Sequence, residues 1–292
     1  MQAWEHAAEA RKKQEAGDLK GAMKEIDAAL RVDPACAEAV HVRAHVKRDR
    51  QKYPEAIADF ELAAELVPSD YRNWFCRGVA RRLAHDDAGA VEDQSKAIEM
   101  SPSSSCCWAQ RGLSRLNLAD YDDAIADYEQ TLKLDAACWE ARHNLGVVYE
   151  RMKEFHRSIE EYTKAIALKA DDHFAWCSRG NVKRIAGDFE GAVADFAESL
   201  KRKKDHLQAL VNGGIARIGL DDFDGAILDF DAALVINRWD ARAWLHRGRA
   251  WAKLGDFSRA KRDFAKSREL DPWLGEIHEH RGEVRAAGIW VD

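Results

Sequence analysis

Small and large side chains alternate along this chain at fixed positions of a thirty-four-residue period. The eighth position of every copy is small: Ala10, Ala44, Gly78, Gly112, Gly146, Gly180, Gly214 and Gly248. Position twenty-four is a large ring in six of the eight copies, with Ile26 and Gln94 in the others: Phe60, Tyr128, Tyr162, Phe196, Phe230 and Phe264. A small residue lets two helices approach closely, and a ring fills the space beside it. The pattern therefore predicts packed helices repeated along the chain.

Eight copies of the period follow one another without an insertion or a deletion. They cover 3–36, 37–70, 71–104, 105–138, 139–172, 173–206, 207–240 and 241–274. Residues 275–292 follow, and Glu276 to Ala287 read as one more first helix that would cover the apolar end of the array. We predict one repeat domain over 3–274 and a C-terminal capping helix and tail over 275–292. Because Ala136 and Ala170 replace the usual proline, we also expect two second helices to continue directly into the next first helix.

The eighth copy shows most clearly which known family the repeats resemble. Its pattern consists of Trp244, Gly248, Gly255-Asp256-Phe257, Ala260, Phe264 and Pro272. This is similar to the tetratricopeptide repeat, in which Trp-x2-Leu-Gly-x2-Tyr is followed by Ala, an aromatic residue and Pro. The resemblance extends over nearly the whole chain. It implies an all-α fold, a right-handed α-α superhelical solenoid of eight helix pairs whose first helices line a concave groove.

The function that this resemblance implies is protein binding, by a non-catalytic scaffold or adaptor that holds a partner peptide or segment in the groove. Positions two, five, nine, twelve and thirteen of each first helix would line that groove. The apolar residues expected there include Phe75, Val79, Leu113, Val147, Phe174, Val211, Ile215 and Leu245. The polar and cationic ones include Arg72, Arg82, Asn181, Arg184, Arg242 and Arg249. Such a surface suits an extended or helical peptide with acidic flanks.

A more specific alternative is a co-chaperone-type adaptor. Some relatives bind acidic C-terminal tails through a carboxylate clamp of lysine, arginine and asparagine side chains. Asn181, Asn212 and Arg242 stand at matching positions, so Asn212 joins the expected groove residues. Cys177 replaces an expected lysine and His246 an expected arginine, so the clamp is only partial.

The second copy suggests another alternative, a metal-binding protein. Glu38, His41 and His45 are three and then four residues apart and therefore share one helical face, which in this family faces the groove. A carboxylate and two imidazoles are ligand types that zinc accepts. No fourth ligand is apparent in the sequence, and solvated or ligand-contacting histidines are the simpler interpretation. We therefore expect neither a metal site nor a cofactor.

Charged residues also recur at fixed positions. Position seven, usually leucine in the family, is Arg43, Arg77, Arg111, Arg179, Arg247 and, after the last copy, Arg281. Position twenty-three is Asp59, Asp93, Asp127, Asp195, Asp229 and Asp263. We predict partly buried Arg–Asp pairs between helices, which hold the stack together rather than bind a ligand.

Composition narrows the function further. The 292 residues carry 45 basic and 51 acidic side chains, a formal charge of −6, with the two signs mixed in every copy. This balance gives no general attraction to nucleic acid or to a membrane surface. No stretch approaches the roughly 18 apolar residues of a membrane helix, and the N-terminus lacks the apolar core of a signal peptide.

The sequence contains few motifs that indicate catalysis. Its six cysteines lack Cys-x2-Cys spacing and read as reduced thiols. A glycine-rich phosphate loop and a nucleophile motif are both missing, which argues against an enzyme. We expect a cytoplasmic protein whose partner is a protein or a peptide, not nucleic acid or a membrane. A monomer is expected, with end-to-end self-association as the alternative.

Overall fold

The computed structural model describes residues 1–274, and every regular element within them is an α-helix. The first helices of successive pairs are α1 Ala3–Glu15, α3 Ala37–Asp49, α5 Tyr71–Leu83, α7 Ser105–Asn117, α9 Trp139–Arg151, α11 His173–Ile185, α13 Leu207–Gly219 and α15 Ala241–Lys253. The second helices are α2 Leu19–Val32, α4 Tyr53–Leu66, α6 Asp87–Met100, α8 Tyr121–Leu134, α10 Phe155–Leu168, α12 Phe189–Arg202, α14 Phe223–Ile236 and α16 Phe257–Leu270. The predicted class is confirmed, because the chain is an all-α helical-repeat solenoid. The predicted capping helix and tail, 275–292, lie outside the described residues.

The chain forms two compact units, and the division falls between Asn144 and Leu145, inside α9. The first unit contains α1 to α8 with the start of α9, and the second unit begins with the rest of α9. Within 1–274, none of the helices combines the length and the apolar character needed to cross a bilayer.

Within a helix pair, the small residue at position eight faces the ring at position twenty-four. A Cβ atom added to Gly112 would lie 3.1 Å from the ring of Tyr128, and one added to Gly180 would lie 3.1 Å from the ring of Phe196. Both rings are buried. A side chain larger than alanine at position eight would therefore push the two helices apart, as the alternation of sizes in the sequence predicted.

The expectation that second helices continue past Ala136 and Ala170 is wrong. Helix α8 ends at Leu134 and α10 at Leu168, because Asp135 and Lys169 leave the helical region, with φ of −140° and −141° and ψ of 93° and 82°. The carboxylate of Asp135 accepts a hydrogen bond from the backbone of Ala137 at 3.0 Å. These side-chain and backbone turns stop the helices without a proline.

The predicted Arg–Asp pairs are present in the described chain. In each pair, Nε and Nη2 of the arginine donate to the two carboxylate oxygens at distances between 2.6 and 3.0 Å. The pairs are Arg43–Asp59, Arg77–Asp93, Arg111–Asp127, Arg179–Asp195 and Arg247–Asp263. Each joins the first helix of a pair to the second helix, so the predicted pairing between helices is confirmed. Arg281 lies outside the described residues.

A second cation, at position eleven, was missed by the sequence analysis. It contacts the same carboxylate from one helical turn further along the first helix. The contacts are Lys47–Asp59 at 2.5 Å, Arg81–Asp93 at 3.2 Å, Arg115–Asp127 at 2.7 Å and Lys183–Asp195 at 3.0 Å. In these four pairs the carboxylate is therefore held by two cations, which reduces the cost of burying its charge.

Candidate functional site

Side-chain hydrogen bonds join neighbouring first helices in both units. In the first unit, Gln14 of α1 donates to Asp49 of α3 at 2.6 Å, and Arg82 of α5 donates to Gln110 of α7 at 3.3 Å. In the second unit, Arg242 of α15 donates to Asn212 of α13 at 3.4 Å. First helices of a unit therefore lie side by side. We call the surface formed by their positions two, five, six, nine, twelve and thirteen the first-helix face of that unit.

The groove residues predicted in the first unit differ in exposure. Arg72 is exposed, and Phe75, Val79, Arg82 and Leu113 are half-buried. The guanidinium of Arg72 donates to Asp70, the N-cap of its own helix, at 2.6 Å. This hydrogen bond lowers the pKa of Asp70. Arg72 therefore already has a carboxylate partner.

The groove residues predicted in the second unit separate into three groups. Phe174 and Arg242 are exposed. The half-buried ones are Val147, Asn181, Arg184, Ile215 and Arg249. Val211, Asn212 and Leu245 are buried, with exposures of 3%, 3% and 1%. Val211 and Leu245 support the face from below, because Val211 packs into a cluster with Phe230, and Leu245 packs against Ala260 and Phe264.

The residues of the partial clamp are bonded to charged neighbours. Asn181 donates to Glu150 at 3.2 Å and accepts from Arg184 at 3.0 Å. Asn212 accepts from Arg242. Burial raises the pKa of Cys177 to about 12, so a neutral thiol occupies the place where the clamp has a cation.

A cavity of about 400 Å³ opens on the first-helix face of the first unit. Its walls come from α1, α3, α5 and the beginning of α7. Arg72 and Phe75 of the predicted groove contribute to it, beside His41, His45 and Cys76.

At this cavity two imidazoles and a thiol converge. The Nε2 atoms of His41 and His45 are 3.0 Å apart, and Sγ of Cys76 is 3.7 Å from Nε2 of His45. All three donor atoms lie within 4.8 Å of one another, a spacing that one metal ion can bridge. Glu38, the third ligand considered from the sequence, pairs instead with Arg11. Spacing within one helix does not reveal Cys76, because this residue belongs to the next copy.

Asn73 fixes the orientation of the His41 ring. Its amide nitrogen donates to the carbonyl of Ala63 at 3.1 Å, so its oxygen faces Nδ1 of His41, at 2.6 Å. An amide oxygen only accepts, and Nδ1 therefore carries the proton while Nε2 keeps a lone pair directed at His45.

Burial sets the protonation states of this cluster. It lowers the pKa of His41, and it lowers that of His45 to about 3, with the neighbouring His41 adding to the effect. It raises the pKa of Cys76 to about 11. Near neutral pH the cluster therefore consists of two neutral imidazoles and a neutral thiol.

Comparison with solved structures shows the same fold in other proteins. A tetratricopeptide repeat protein from Parabacteroides merdae is 14% identical, with a TM-score of 0.63 over 85% of this chain and 98% of that chain. PilF of Pseudomonas aeruginosa is 17% identical, with a TM-score of 0.63 over 73% and 97%. YrrB, described as a tetratricopeptide repeat protein with an unusual peptide-binding site, is 17% identical, with a TM-score of 0.57 over 66% and 99%. None of the curated proteins matches the chain.

Two family models match parts of the chain. One model described as "Tetratricopeptide repeat" matches residues 41–105 and 110–173, and another with the same description matches 241–272. Together these ranges include more than half of the 292 residues. With its thirty-four-residue helix pairs and its small-against-ring packing, the chain belongs to the tetratricopeptide repeat family.

Proposed function

We propose that this protein is a non-catalytic scaffold that binds a peptide, or an exposed segment of a partner protein, on its first-helix face. Tetratricopeptide repeats support protein interaction in general. The observation that carries the proposal lies on the first-helix face of the second unit, where Phe174 of α11 keeps 54% of its surface exposed. An aromatic ring presented on a regular helix is a common anchor for a partner.

The ring of Phe174 is exposed but held in place. It packs against His173, with ring centroids 4.0 Å apart, and edge-on against His206, at 5.4 Å. A held ring loses little conformational entropy when a partner covers it. Ile185, 46% exposed at the other end of α11, extends the apolar surface along the same helix.

Cations accompany these apolar side chains. Arg184 stands next to Ile185 and bonds to Asn181, and Arg242 is exposed on α15. Arg242 reaches Asn212 only at 3.4 Å, a weak hydrogen bond that a carboxylate of a ligand can replace. The surface thus favours a ligand that combines an apolar side chain with an acidic group. YrrB, which shares the fold, is described as having a peptide-binding site, and this supports a peptide as the ligand.

Fluorescence anisotropy on the full chain tests the proposal. The probes are labelled acidic peptides that each contain one aromatic or aliphatic anchor, prepared with a free and with an amidated C-terminus. We expect at least one peptide to bind, and Phe174→Ala to weaken that binding about tenfold, since a central aromatic anchor contributes more than 1 kcal/mol. Arg242→Glu is expected to weaken it as well.

Leu228→Ala is the matched control, because Leu228 is 69% exposed but belongs to α14, a second helix of the same unit. It should leave binding unchanged. The proposal fails if no peptide binds, or if Phe174→Ala and Leu228→Ala have equal effects. Binding that requires the free carboxylate would identify the protein as an adaptor of the co-chaperone type.

A further inference from the structure

We propose that His41, His45 and Cys76 bind a Zn²⁺ ion at the cavity of the first unit. This site is independent of the peptide surface proposed on the second unit. It consists of two residues from α3 and one from α5, which occupy positions five and nine of one copy and position six of the next.

Two of the three distances between the donor atoms are close to those around a tetrahedral zinc ion, and the third is no longer than 4.8 Å. Zinc bonds of about 2.0–2.1 Å to nitrogen and about 2.3 Å to sulfur place two nitrogen ligands about 3.3 Å apart, and nitrogen and sulfur about 3.6 Å apart. The two Nε2 atoms are 3.0 Å apart, and Nε2 of His45 is 3.7 Å from Sγ of Cys76. The side chains are therefore already arranged so that small rotations admit the ion.

The surroundings of His41 are those of a metal ligand. Metal-bound histidines usually donate their other ring N–H to an oxygen that fixes the tautomer. Nδ1 of His41 donates to Oδ1 of Asn73, and Asn73 is itself anchored by the carbonyl of Ala63. The Nε2 lone pair of His41 is thereby directed into the cluster, which makes Asn73 a positioning residue.

Zinc binding requires two proton movements. The Zn–S bond forms as the Cys76 thiol loses its proton to solvent, because a coordinating thiol is deprotonated by the ion. Before zinc binds, the N–H of His45 Nε2 donates to the lone pair of His41 Nε2. On binding, His45 changes tautomer, and its proton moves to Nδ1 by exchange with solvent. Both imidazoles then offer nitrogen lone pairs, and one proton is released for each ion bound.

The cavity leaves space for a fourth ligand. Three protein ligands leave one tetrahedral position, and in this site that position opens on the cavity of about 400 Å³. A water molecule would complete the coordination when no other ligand is bound. Nitrogen and thiolate ligands together favour zinc over magnesium or calcium, which prefer oxygen.

Packing alone does not explain this arrangement. Both imidazoles contact the ring of Phe60 edge-on, at centroid distances of 5.4 and 5.2 Å. Aliphatic side chains would fill that space without the cost of burying polar nitrogens. When an ion binds between the nitrogen and sulfur atoms of such a buried cluster, the binding free energy offsets the cost of burying them.

Metal analysis of the full chain tests the proposal. The protein is purified without a histidine tag, stripped with a chelator, incubated with zinc and passed through a desalting column. We expect one zinc per chain. Cys76→Ser and His45→Phe should each weaken zinc binding more than tenfold, and Asn73→Ala should weaken it about 10- to 100-fold. Co²⁺ in place of zinc should show a thiolate-to-cobalt charge-transfer band that Asn73→Ala retains and Cys76→Ser loses.

The second unit supplies a matched control, since His173 and His206 have the same ring-centroid separation, 4.8 Å, as His41 and His45. His206→Phe and Cys177→Ser should leave the zinc content unchanged. Circular dichroism checks that each variant is folded, and the cobalt spectrum of the unaltered chain tests the site without any substitution. A chain that retains no zinc, zinc that persists in Cys76→Ser, or a cobalt complex without the thiolate band would each overturn the proposal.

Discussion

Asp93 in the first unit and Asp229 in the second occupy the same position of their copies, yet they are held differently. Asp93 receives a two-point hydrogen bond from Arg77 and a contact from Arg81, and its side chain is 2% exposed. Within residues 1–274 the structure shows one cation at Asp229, Arg217 at 2.9 Å, and the side chain of Asp229 is 20% exposed. Gly213 stands where the other copy has its arginine.

This difference shows what the arginine at position seven contributes. Burial raises the pKa of Asp229, and Arg217 only partly opposes that effect. A buried carboxylate is tolerated when charged donors satisfy both of its oxygens, and it becomes a cost when one donor is missing. The pairs therefore matter mainly because each partner would be costly alone.

Removing the arginine from a complete pair should have the largest effect on the free energy of unfolding. Arg77→Leu leaves Asp93 buried with only Arg81 beside it, and it also removes the stacking of the guanidinium on Trp74, 4.6 Å from the ring centroid. Breaking a buried pair from one side costs about 3–5 kcal/mol. We expect urea unfolding, followed by hydrogen exchange in α5 and α6, to show a loss of this size.

The control for Arg77→Leu is the double variant Arg77→Leu with Asp93→Leu. It removes both charges and should recover most of the lost stability, because no unpaired carboxylate remains. If Arg77→Leu costs less than about 1 kcal/mol, the pair does not hold the helices together.

Introducing the arginine that Asp229 lacks should increase the free energy of unfolding, by less than Arg77→Leu lowers it. A Cβ atom at Gly213 would lie 3.4 Å from Asp229 and 3.6 Å from Phe196, which is ordinary contact. Gly213→Ala should therefore stabilise the second unit by about 0.5–1 kcal/mol through helix propensity. Gly213→Arg should add a charged hydrogen bond to Asp229, for a total of about 1–2 kcal/mol. Thermal unfolding of both variants measures the difference.

The neighbouring glycine is the matched control. A Cβ atom at Gly214 would lie 2.7 Å from the ring of Phe230, so Gly214→Ala should destabilise the same helix. If Gly213→Ala and Gly214→Ala changed the stability equally, helix propensity alone would determine the effect of substitutions in α13. Stabilisation by Gly213→Arg no greater than that by Gly213→Ala would show that the second donor adds nothing.

The sequence predicted contacts within one helix pair better than contacts between pairs. Arg77 and Asp93 were paired correctly, because sixteen residues separate them in a period that is never interrupted. Glu38 was assigned to a histidine cluster by its spacing on α3, but it meets Arg11 of the preceding copy. Cys76 was missed for the converse reason, since it reaches His45 from the following copy.

Spacing along a helix identifies residues that share its surface, whereas contacts between copies depend on how neighbouring helices are aligned. Position-by-position comparison of adjacent copies could have found Cys76. It stands at position six of its copy and contacts His45, which stands at position nine of the preceding copy. The sequence also indicates that Asp229 lacks the arginine of position seven, because Gly213 stands there. The sequence does not indicate how deeply Asp229 is buried.

The smallest expected effect concerns pH. Because the folded pKa of Asp229 is raised above its ordinary 3.8, ionising this group costs folding free energy. The stability that the protonated carboxyl group contributes is fully present below the unfolded pKa, and it is lost as pH rises through the folded pKa. Asp229→Asn cannot ionise, so its stability relative to the unaltered chain should increase between about pH 4 and pH 7. Urea unfolding at several pH values measures this difference.

Asp222 provides the opposite case beside the same arginine. The hydrogen bond from Arg217 lowers the pKa of Asp222, so its contribution is present above the unfolded pKa and is lost as pH falls through the folded one. Asn at position 222 can still cap α14, where Asp222 accepts from the backbone of Gly225. The stability of Asp222→Asn relative to the unaltered chain should therefore decrease as pH rises. Two aspartates that share one cation would then show opposite slopes, and slopes of the same sign would mean that burial does not distinguish them.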